Sequence, residues 1–320
     1  MMDYEEFKVN LMDYVTEEID NRGLEDISLK FQEIDSPDGV TDRLMVSIGD
    51  SKMSMAFRLQ PIFDTVQKGE LIEDAAYNVV DTIEENITVC KTKQHELKDW
   101  ITDYDNVKDH TYLRMIPGDS PILAHTPHKK FEDMALVVNI HVDSLTDSNG
   151  RSCVVVSDEL MSLYGVDEKQ LFSAAEINSV VNEPLNLVPL VDMIKSITDV
   201  EVSSDEVPVT YVASNKSGFQ GAAVLGYPDF CEKAAEALGG SFYLLPSSVH
   251  EFILVKDDGL RYAKDLNAMV KNVNMTVLEP RDILSEQCYH YDAKAKILET
   301  GLKYDEKRHE KEQKKNRDAR

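Results

Sequence analysis

The apolar residues of the first 88 positions follow a helical spacing at both ends and alternate with polar residues in the middle. Between Tyr4 and Ile19 they recur every three or four residues, and Gly23 follows as a helix stop. Three short runs, ISLKFQEI, RLMVSIG and KMSMAFRL, are separated by the turn sequences DSPDG and GDS, which predicts a strand meander. A second amphipathic helix is predicted over GELIEDAAYNVVDTIEEN. We therefore expect a small helix–strand–helix domain over residues 1–88.

A polar stretch, residues 89–108, is expected to be a connecting helix or linker. Beyond it, strand-length apolar runs flank turn residues three times, and a helical pattern follows each pair; the second pair is VTYVAS with GAAVLG. The turns are expected at Asn149–Gly150, Lys216–Gly218 and Ser247–Ser248. Repeated strand–turn–strand–helix units predict an α+β fold with antiparallel sheets and helices on one face. This larger domain would span residues 109–302.

Three helix ends inside the larger domain are marked by capping residues. Ser157 or Asp158 begins a helix that Gly165 ends. Asp167 followed by Gln170 is the pattern of a capping box and predicts the start of the next helix.

The last segment, residues 303–320, has no apolar face after Tyr304. It carries eight Lys or Arg residues against five Asp or Glu residues. This composition predicts a frayed charged helix or a disordered tail that contributes little to the core, with nucleic-acid binding as the alternative.

Composition narrows the function classes. The 320 residues carry a formal net charge of −25, and such a surface repels nucleic-acid phosphates and anionic lipid headgroups. We therefore expect no direct nucleic-acid binding and no membrane association. The start, MMDYEEFKVN, lacks the pattern of a secretory signal, and the four scattered cysteines form no CxxC pair. These features predict a cytoplasmic protein with reduced thiols.

The stretch PSSVHE, Pro246 to Glu251, places two serines, a histidine and a glutamate close together. A Ser–His nucleophile needs an orienting acid and an oxyanion hole. In a strand, Ser248 and His250 share one face and Glu251 lies on the other, so the glutamate cannot orient the imidazole. A hairpin accounts for every residue, because the serines make the turn and EFILV returns. We therefore favour a structural role for His250 and Glu251.

The stretch HTPHKKFEDMALVV has His125 and His128 three residues apart, with Asp133 downstream. In a helix that spacing could seat a metal ion, but Pro127 breaks the helix and further ligands are not placed. We expect His128 to bond the backbone. Asp133 is expected to cap a local turn or to pair with a cation, of which Arg114 is the first choice.

The glycines of SGFQGAAVLG match neither the dinucleotide fingerprint nor the phosphate loop of nucleotide hydrolases. Nucleotide binding by this route is therefore disfavoured, and we expect no cofactor.

The order and spacing of PHKKFEDMALVV, SDELMSLYGVDEKQLFSAA and YLLPSSVHEFILVKDDG resemble a family of uncharacterised bacterial proteins, a domain of unknown function. The resemblance spans nearly all of residues 1–302. It implies a cytoplasmic accessory protein from gut Gram-positive anaerobes, often encoded on mobile elements, and it brings no known substrate. The matching positions of its two motifs are Pro127, His128, Lys129, Phe131 and Asp133, and Pro246, Ser247, Ser248, His250 and Glu251.

Three functions remain open. The first is a non-enzymatic binding or regulatory protein with an unidentified protein partner, because no complete catalytic signature is visible. The second is a hydrolase or metal-dependent enzyme, which requires the candidate residues to converge in one pocket. The third is an acidic DNA mimic that inhibits a DNA-binding enzyme. The candidate site for the second function consists of Arg114, His128, Asp133, His250 and Glu251.

Overall fold

The chain divides into two units, Met1–Asp103 and Tyr104–Arg320. Both units combine helices with antiparallel strands, so the predicted α+β class is confirmed. The computed structural model describes residues 2–37, 39–49, 54–92, 94–142, 153–197 and 209–318.

In the described residues, helices and strands are interspersed along the chain, apart from an all-helical section between Leu59 and Val107. The helices are α1 (Tyr4–Asn21), α2 (Leu59–Gln67), α3 (Ile72–Thr92), α4 (Gln94–Thr102), α5 (Tyr104–Val107), α6 (Asp158–Tyr164), α7 (Glu168–Asn182), α8 (Leu190–Ile197), α9 (Phe230–Leu238), α10 (Ala263–Thr276) and α11 (Gly301–Asp318). The strands are β1 (Ile27–Ser36), β2 (Gly39–Ile48), β3 (Ser54–Arg58), β4 (Thr111–Pro117), β5 (Lys129–Phe131), β6 (Met134–His141), β7 (Cys153–Val155), β8 (Leu185–Pro189), β9 (Thr210–Asn215), β10 (Phe242–Ser248), β11 (Glu251–Lys256), β12 (Tyr289–Asp292) and β13 (Ile297–Thr300).

The first unit has the predicted meander of β1, β2 and β3, with α1 and α3 supplying most of the helical core. Helix α1 buries the apolar positions that its spacing marked, and α3 does the same. Arg22, at the end of α1, donates to Glu18 at 2.7 Å and to Glu84 of α3 at 2.9 Å. Helix α2 is an addition that the sequence pattern did not predict. The stretch predicted as a connecting helix or linker is helical in α3, α4 and α5.

The second unit contains a four-stranded sheet in which β6 is central. Strand β6 pairs with β4 on one side and with β5 and β7 on the other, always antiparallel. Every residue of β6 except His141 is buried. Helix α7 begins at the predicted capping box of Asp167 and Gln170. Its Ser179 Oγ accepts a hydrogen bond from the backbone N–H of Leu113 at 2.9 Å, which ties α7 to β4.

A six-stranded antiparallel sheet forms the rest of the second unit, in the order β13-β12-β10-β11-β9-β8. Helix α10 covers the face that carries Tyr243 and Leu245 of β10, and Tyr304 of α11 packs there too. Residues alternate between faces along a strand, so Tyr289 and Tyr291 of β12 lie on the other face. Residues of α9 approach that second face. Helices therefore contact both faces of this sheet, and the expectation of helices on one face only is wrong here.

Two of the three predicted hairpin turns need correction. The first hairpin of the six-stranded sheet turns at Val249–His250 and not at Ser247–Ser248, because β10 continues through a register shift after Pro246. The chain does turn at Lys216–Gly218, but GAAVLG is a 3₁₀ helix, Gly221–Gly226, and not a return strand. Strand β9 already pairs with β8 on one edge and with β11 on the other, so neither edge of β9 is left for GAAVLG to pair with. The predicted turn at Asn149–Gly150 lies outside the described residues.

The C-terminal segment docks, so the expectation of a tail that contributes little is wrong for its first two turns. The Tyr304 ring stacks on His290 with centroids 3.4 Å apart, and its hydroxyl donates to Asp257 at 3.0 Å. Asp305 is buried and accepts the backbone N–H of Ala263 at 2.7 Å, which caps the start of α10. The later turns are exposed wherever the structure describes their side chains.

The contact between His290 and Asp257 is the most buried ion pair with a histidine among the described residues. His290 Nε2 lies 3.0 Å from Asp257 Oδ2, and their side chains are 1% and 9% exposed. The hydrogen bond from His290 is the main cause that lowers the pKa of Asp257 to about 2; bonds from Gly259 and Tyr304 act in the same direction. The charged form of Asp257 therefore stabilises the folded state.

Truncation distinguishes the docked turns from the exposed ones. Deleting residues 304–320 removes the Asp305 cap and the Tyr304 contacts, and should lower the melting temperature by several degrees. Deleting residues 311–320 is the matched control and should shift it by about one degree or less. Equal, small shifts in calorimetry for both deletions would contradict the docking of α11.

The Asp257 contact should appear as a pH dependence of stability. Its pKa is lower in the folded chain than the unfolded value of about 3.9, so its stabilisation is present above pH 4 and is lost as the pH falls toward 2. We expect the difference in unfolding free energy between the wild type and Asp257→Asn to be on the order of 1 kcal/mol larger at pH 5 than at pH 2.5. Urea unfolding at both pH values measures it; a constant difference would show that Asp257 is not coupled to folding.

Candidate functional site

Asp133 lies in the turn between β5 and β6 and anchors a hydrogen-bond network. Its carboxylate accepts from Ser285 Oγ at 2.8 Å, from Gln287 Nε2 at 3.4 Å and from the hydroxyl of Tyr289. Tyr289 is buried, and its pKa is raised above the usual range by burial and by the neighbouring carboxylate. Asp133 therefore holds a protonated phenol in a fixed position on β12.

The sequence-based expectations for this motif have mixed outcomes. His128 Nδ1 lies 2.8 Å from the carbonyl oxygen of Thr126, so the expected bond to the backbone is confirmed. Asp133 neither caps its own turn nor takes a cation as its main partner, because its hydrogen-bond donors come from a segment about 150 residues later. Arg114 lies on β4 opposite Val137 of β6 and is half-buried.

His250 lies in the turn between β10 and β11, where both ring nitrogens face protein groups. Nδ1 accepts the backbone N–H of Gln220 at 3.0 Å, and Nε2 is 3.6 Å from Asp282. Ser248 Oγ accepts the backbone N–H of His250 at 3.0 Å, and Ser247 donates to Glu251 at 3.2 Å. Neither serine donates to the imidazole, so the Ser–His pair that nucleophilic catalysis requires is not formed.

The candidate residues belong to separate contacts. In the ranges that the structure describes, no hydrogen bond or ion pair joins His128 or Asp133 to His250 or Glu251. Within those same ranges, no three His, Cys, Asp or Glu side chains are grouped so that they could hold a metal ion. The enzyme hypothesis required convergence of these residues, and their hydrogen bonds do not provide it.

The middle motif does build a pocket. The pocket has a volume of about 420 Å³, and residues on both sides of Asp133 line it. Opposite them are α9, the six-stranded sheet and the 3₁₀ helix. We call it the Phe131 pocket; its lining residues are Lys130, Phe131, Glu132, Met134, Leu225, Cys231, Glu232, Tyr289, Tyr291, Lys296 and Leu298.

The polar groups of the Phe131 pocket are paired or protonated. Lys296 lies 3.3 Å from Glu232, and Lys303 lies 2.6 Å from Glu132. Burial raises the pKa of Cys231 to about 12, so its thiol is protonated at neutral pH and is a poor nucleophile. The arrangement suits binding better than nucleophilic catalysis.

Asn139, Cys153 and Gln220 form a second polar cluster, which the sequence did not predict. Asn139 Nδ2 donates to Gln220 Oε1 at 2.9 Å and to Cys153 Sγ at 3.3 Å, and Gln220 has a left-handed backbone with φ +51°. Gln220 also donates its backbone N–H to His250. The cluster therefore fixes the His250 turn against β6. No sequence signal marked it, because its members come from three distant stretches with common residue types.

One family model matches most of the chain. The chain belongs to the family of unknown function DUF5688, whose model matches residues 4–293. The match includes both candidate motifs and the Asp133 partners, and it confirms the resemblance to a domain of unknown function. No curated protein and no solved structure is significantly similar to the chain. No helix in the described ranges is long and apolar enough to cross a membrane.

The Asp133 network can be tested by removing its acceptor. Asp133→Ala leaves the buried Tyr289 hydroxyl without its carboxylate, and we expect a loss of about 2–3 kcal/mol in the free energy of unfolding. Glu132→Ala, one residue earlier, removes only an exposed ion pair and should cost about 0.5 kcal/mol or less. Adding Tyr289→Phe to Asp133→Ala should recover part of the loss. Urea unfolding measures all three, and equal losses for the two alanine variants would rule out the anchoring role.

Proposed function

We propose that the chain is a binding protein whose Phe131 pocket takes a small amphipathic molecule with an apolar body and an anionic group. The observation that carries this proposal is the pocket itself, because one motif supplies four of its lining residues and Asp133 of the same motif positions Tyr289 of the opposite wall. Its volume of about 420 Å³ lies within the range of small-molecule sites.

The apolar body of the ligand follows from the side chains that form the pocket. Phe131, Met134, Leu225 and Leu298 supply aliphatic and aromatic surface, and Met134 is nearly fully buried. Apolar area that a ligand removes from water contributes roughly 25 cal/mol per Å². Tyr289 and Tyr291 of β12 line the opposite wall of the same pocket.

The anionic group follows from the charges at the pocket. Both glutamates that line it are already paired, Glu232 with Lys296 and Glu132 with Lys303. Lys130 adds an exposed cation at the same pocket. The two lysines and two glutamates that line the pocket balance in charge, and Lys130 therefore offers an ammonium group to an anion on a chain whose net charge is −25.

The cellular setting is part of the same proposal. The family resemblance supports a bacterial accessory protein of a mobile element that works in the cytoplasm of gut Gram-positive anaerobes. In a regulatory binding protein, ligand binding would change the interaction with a protein partner. That partner stays a prediction. The separation of the candidate residues favours this binding role over the hydrolase or metal-dependent enzyme.

Titration with 1-anilinonaphthalene-8-sulfonate tests the binding proposal, because this probe joins an aromatic body to one sulfonate. We expect one saturable site on the native chain by calorimetry. Leu298→Trp fills the pocket and should weaken binding at least tenfold. Lys130→Glu combined with Lys296→Glu should weaken it by a similar factor, because it replaces the two cations with anions.

Ile297→Trp is the matched control. Ile297 precedes Leu298 on β13, is 49% exposed and projects from the other face of the sheet. Its substitution should change probe affinity less than twofold. Equal affinities for the wild type and Leu298→Trp, or several weak sites in place of one, would refute the Phe131 pocket as the binding site.

A further inference from the structure

The C-terminal helix α11 continues directly from β13, a strand that supplies part of the wall of the Phe131 pocket. Strand β13 ends at Thr300 and α11 begins at Gly301, so no linker separates them. In the part of the chain that the structure describes, β13 pairs with β12 alone and lies at the edge of the six-stranded sheet. Lys296, just before β13, and Leu298 within it line the pocket. An edge strand of four residues has few hydrogen bonds of its own, so its position depends on what holds its ends.

Gly301 holds the junction between β13 and α11 in a close contact. Its backbone N–H donates to the carbonyl oxygen of Cys288 at 2.8 Å. A Cβ atom at this position would lie 2.7 Å from the Sγ of Cys288 and 2.8 Å from the Cβ of Ala263, so a side chain here would displace one of them. The next turn docks through Tyr304 and Asp305. The docked helix therefore fixes the end of β13.

Two lysines of α11 connect the helix to the walls of the pocket. Lys307 pairs with Glu299 of β13, the neighbour of the pocket residue Leu298. Lys303 pairs with Glu132, which lines the opposite wall, with 2.6 Å between Nζ and Oε2. Docking of α11 thus positions β13 and places an ammonium group beside a carboxylate of the pocket.

The ion pair of Lys303 and Glu132 changes the charge that an anion meets at the pocket. When α11 is docked, the Lys303 ammonium group offsets the Glu132 carboxylate. When α11 is undocked, Glu132 is an unpaired carboxylate that repels an anion. Undocking also releases β13, which carries an apolar lining residue. The two states therefore differ in their affinity for an anionic ligand, and such a difference is what couples a ligand to a conformational change.

We infer that the docked helix α11 holds the Phe131 pocket in its binding form, so that ligand binding and docking favour each other. This coupling rests on the binding role proposed for the pocket and adds its regulation, because whatever moves α11 changes the affinity of the pocket. Since coupling between two equilibria is reciprocal, a ligand in the pocket also stabilises the docked helix.

Titration of truncated chains with 1-anilinonaphthalene-8-sulfonate measures the effect of docking. Deleting residues 304–320 removes the docking contacts but keeps β13 and Lys303, and should weaken the affinity for the probe by about tenfold. Deleting residues 311–320 is the matched control and should change it by less than about twofold, because the docked turns remain. Calorimetry at a temperature at which both chains are folded gives the affinities.

Substitutions at the ion pair test the charge effect without truncation. Lys303→Met should weaken probe binding by about threefold to tenfold, because it leaves Glu132 unpaired. Lys311→Met makes the same charge change on an exposed residue of the same helix and should alter the affinity by less than about twofold. In chains that also carry Glu132→Gln, Lys303→Met should lose its effect, because no carboxylate is left to repel the probe.

Labelling of Cys231 with N-ethylmaleimide tests the position of β13 without a ligand. Cys231 lines the Phe131 pocket, and Cys153 on β7 of the four-stranded sheet is an internal reference. Deleting residues 304–320 should speed the labelling of Cys231 by about fivefold or more, because a released β13 uncovers the pocket. The labelling rate of Cys153 should change by less than about twofold. Mass spectrometry of the peptides follows both thiols.

The outcomes separate this coupling from the proposed function. Equal probe affinities for the wild type, the 304–320 deletion and Lys303→Met would overturn the coupling and leave the pocket as a binding site. Equal labelling of Cys231 in the wild type and the 304–320 deletion would also overturn it, whether or not the probe binds. A wild type without a saturable probe site, combined with faster Cys231 labelling in the deletion, would refute the proposed function and support the hold of α11 on the pocket.

Discussion

The carboxylate of Asp133 is the interaction on which the candidate site depends. It takes hydrogen bonds from Ser285 and Tyr289, groups that lie 152 and 156 residues further along the chain. A half-buried acid beside a core strand must find donors, and here they are Tyr289 of β12, which forms the far wall of the Phe131 pocket, and Ser285, which precedes that strand. The same hydrogen bonds therefore satisfy the acid, orient the phenol and fix the distance between the two walls.

The two faces of the six-stranded sheet have different neighbours, and the reason is the alternation of side chains along β12. Tyr289 and Tyr291 project to the face of the Phe131 pocket, whereas His290 projects to the face that α10 and α11 cover. His290 bonds Asp257 and stacks on Tyr304, so it holds α11 against the sheet. One short strand thus lines the Phe131 pocket on one face and holds the C-terminal helix on the other.

The motif residues that suggested catalysis act as structural supports. His250 accepts a backbone N–H, Glu251 accepts a serine hydroxyl, and His128 bonds a carbonyl group of its own loop. Such contacts use the polar atoms that a catalytic group would need to keep free for a substrate. The PHKKFED motif lines a pocket, and the hydrogen bonds of the PSSVHE motif hold a turn in place.

The sequence by itself determined the α+β class, the α1 and α3 faces, the capping box of α7 and the bond of His128 to its own loop, because each depends on residues close together in the chain. It misplaced the hairpin turn at Ser247–Ser248 and gave GAAVLG to a strand. Only the tertiary structure decided where that hairpin turns and that GAAVLG is not a strand, since the bulge after Pro246 and the occupied edges of β9 depend on strands far away in sequence. The same reason explains the partners of Asp133 and the docking of Tyr304 and Asp305. Hydrogen bonds across 40 to 150 residues leave no periodic signal, because each partner satisfies only its own local pattern.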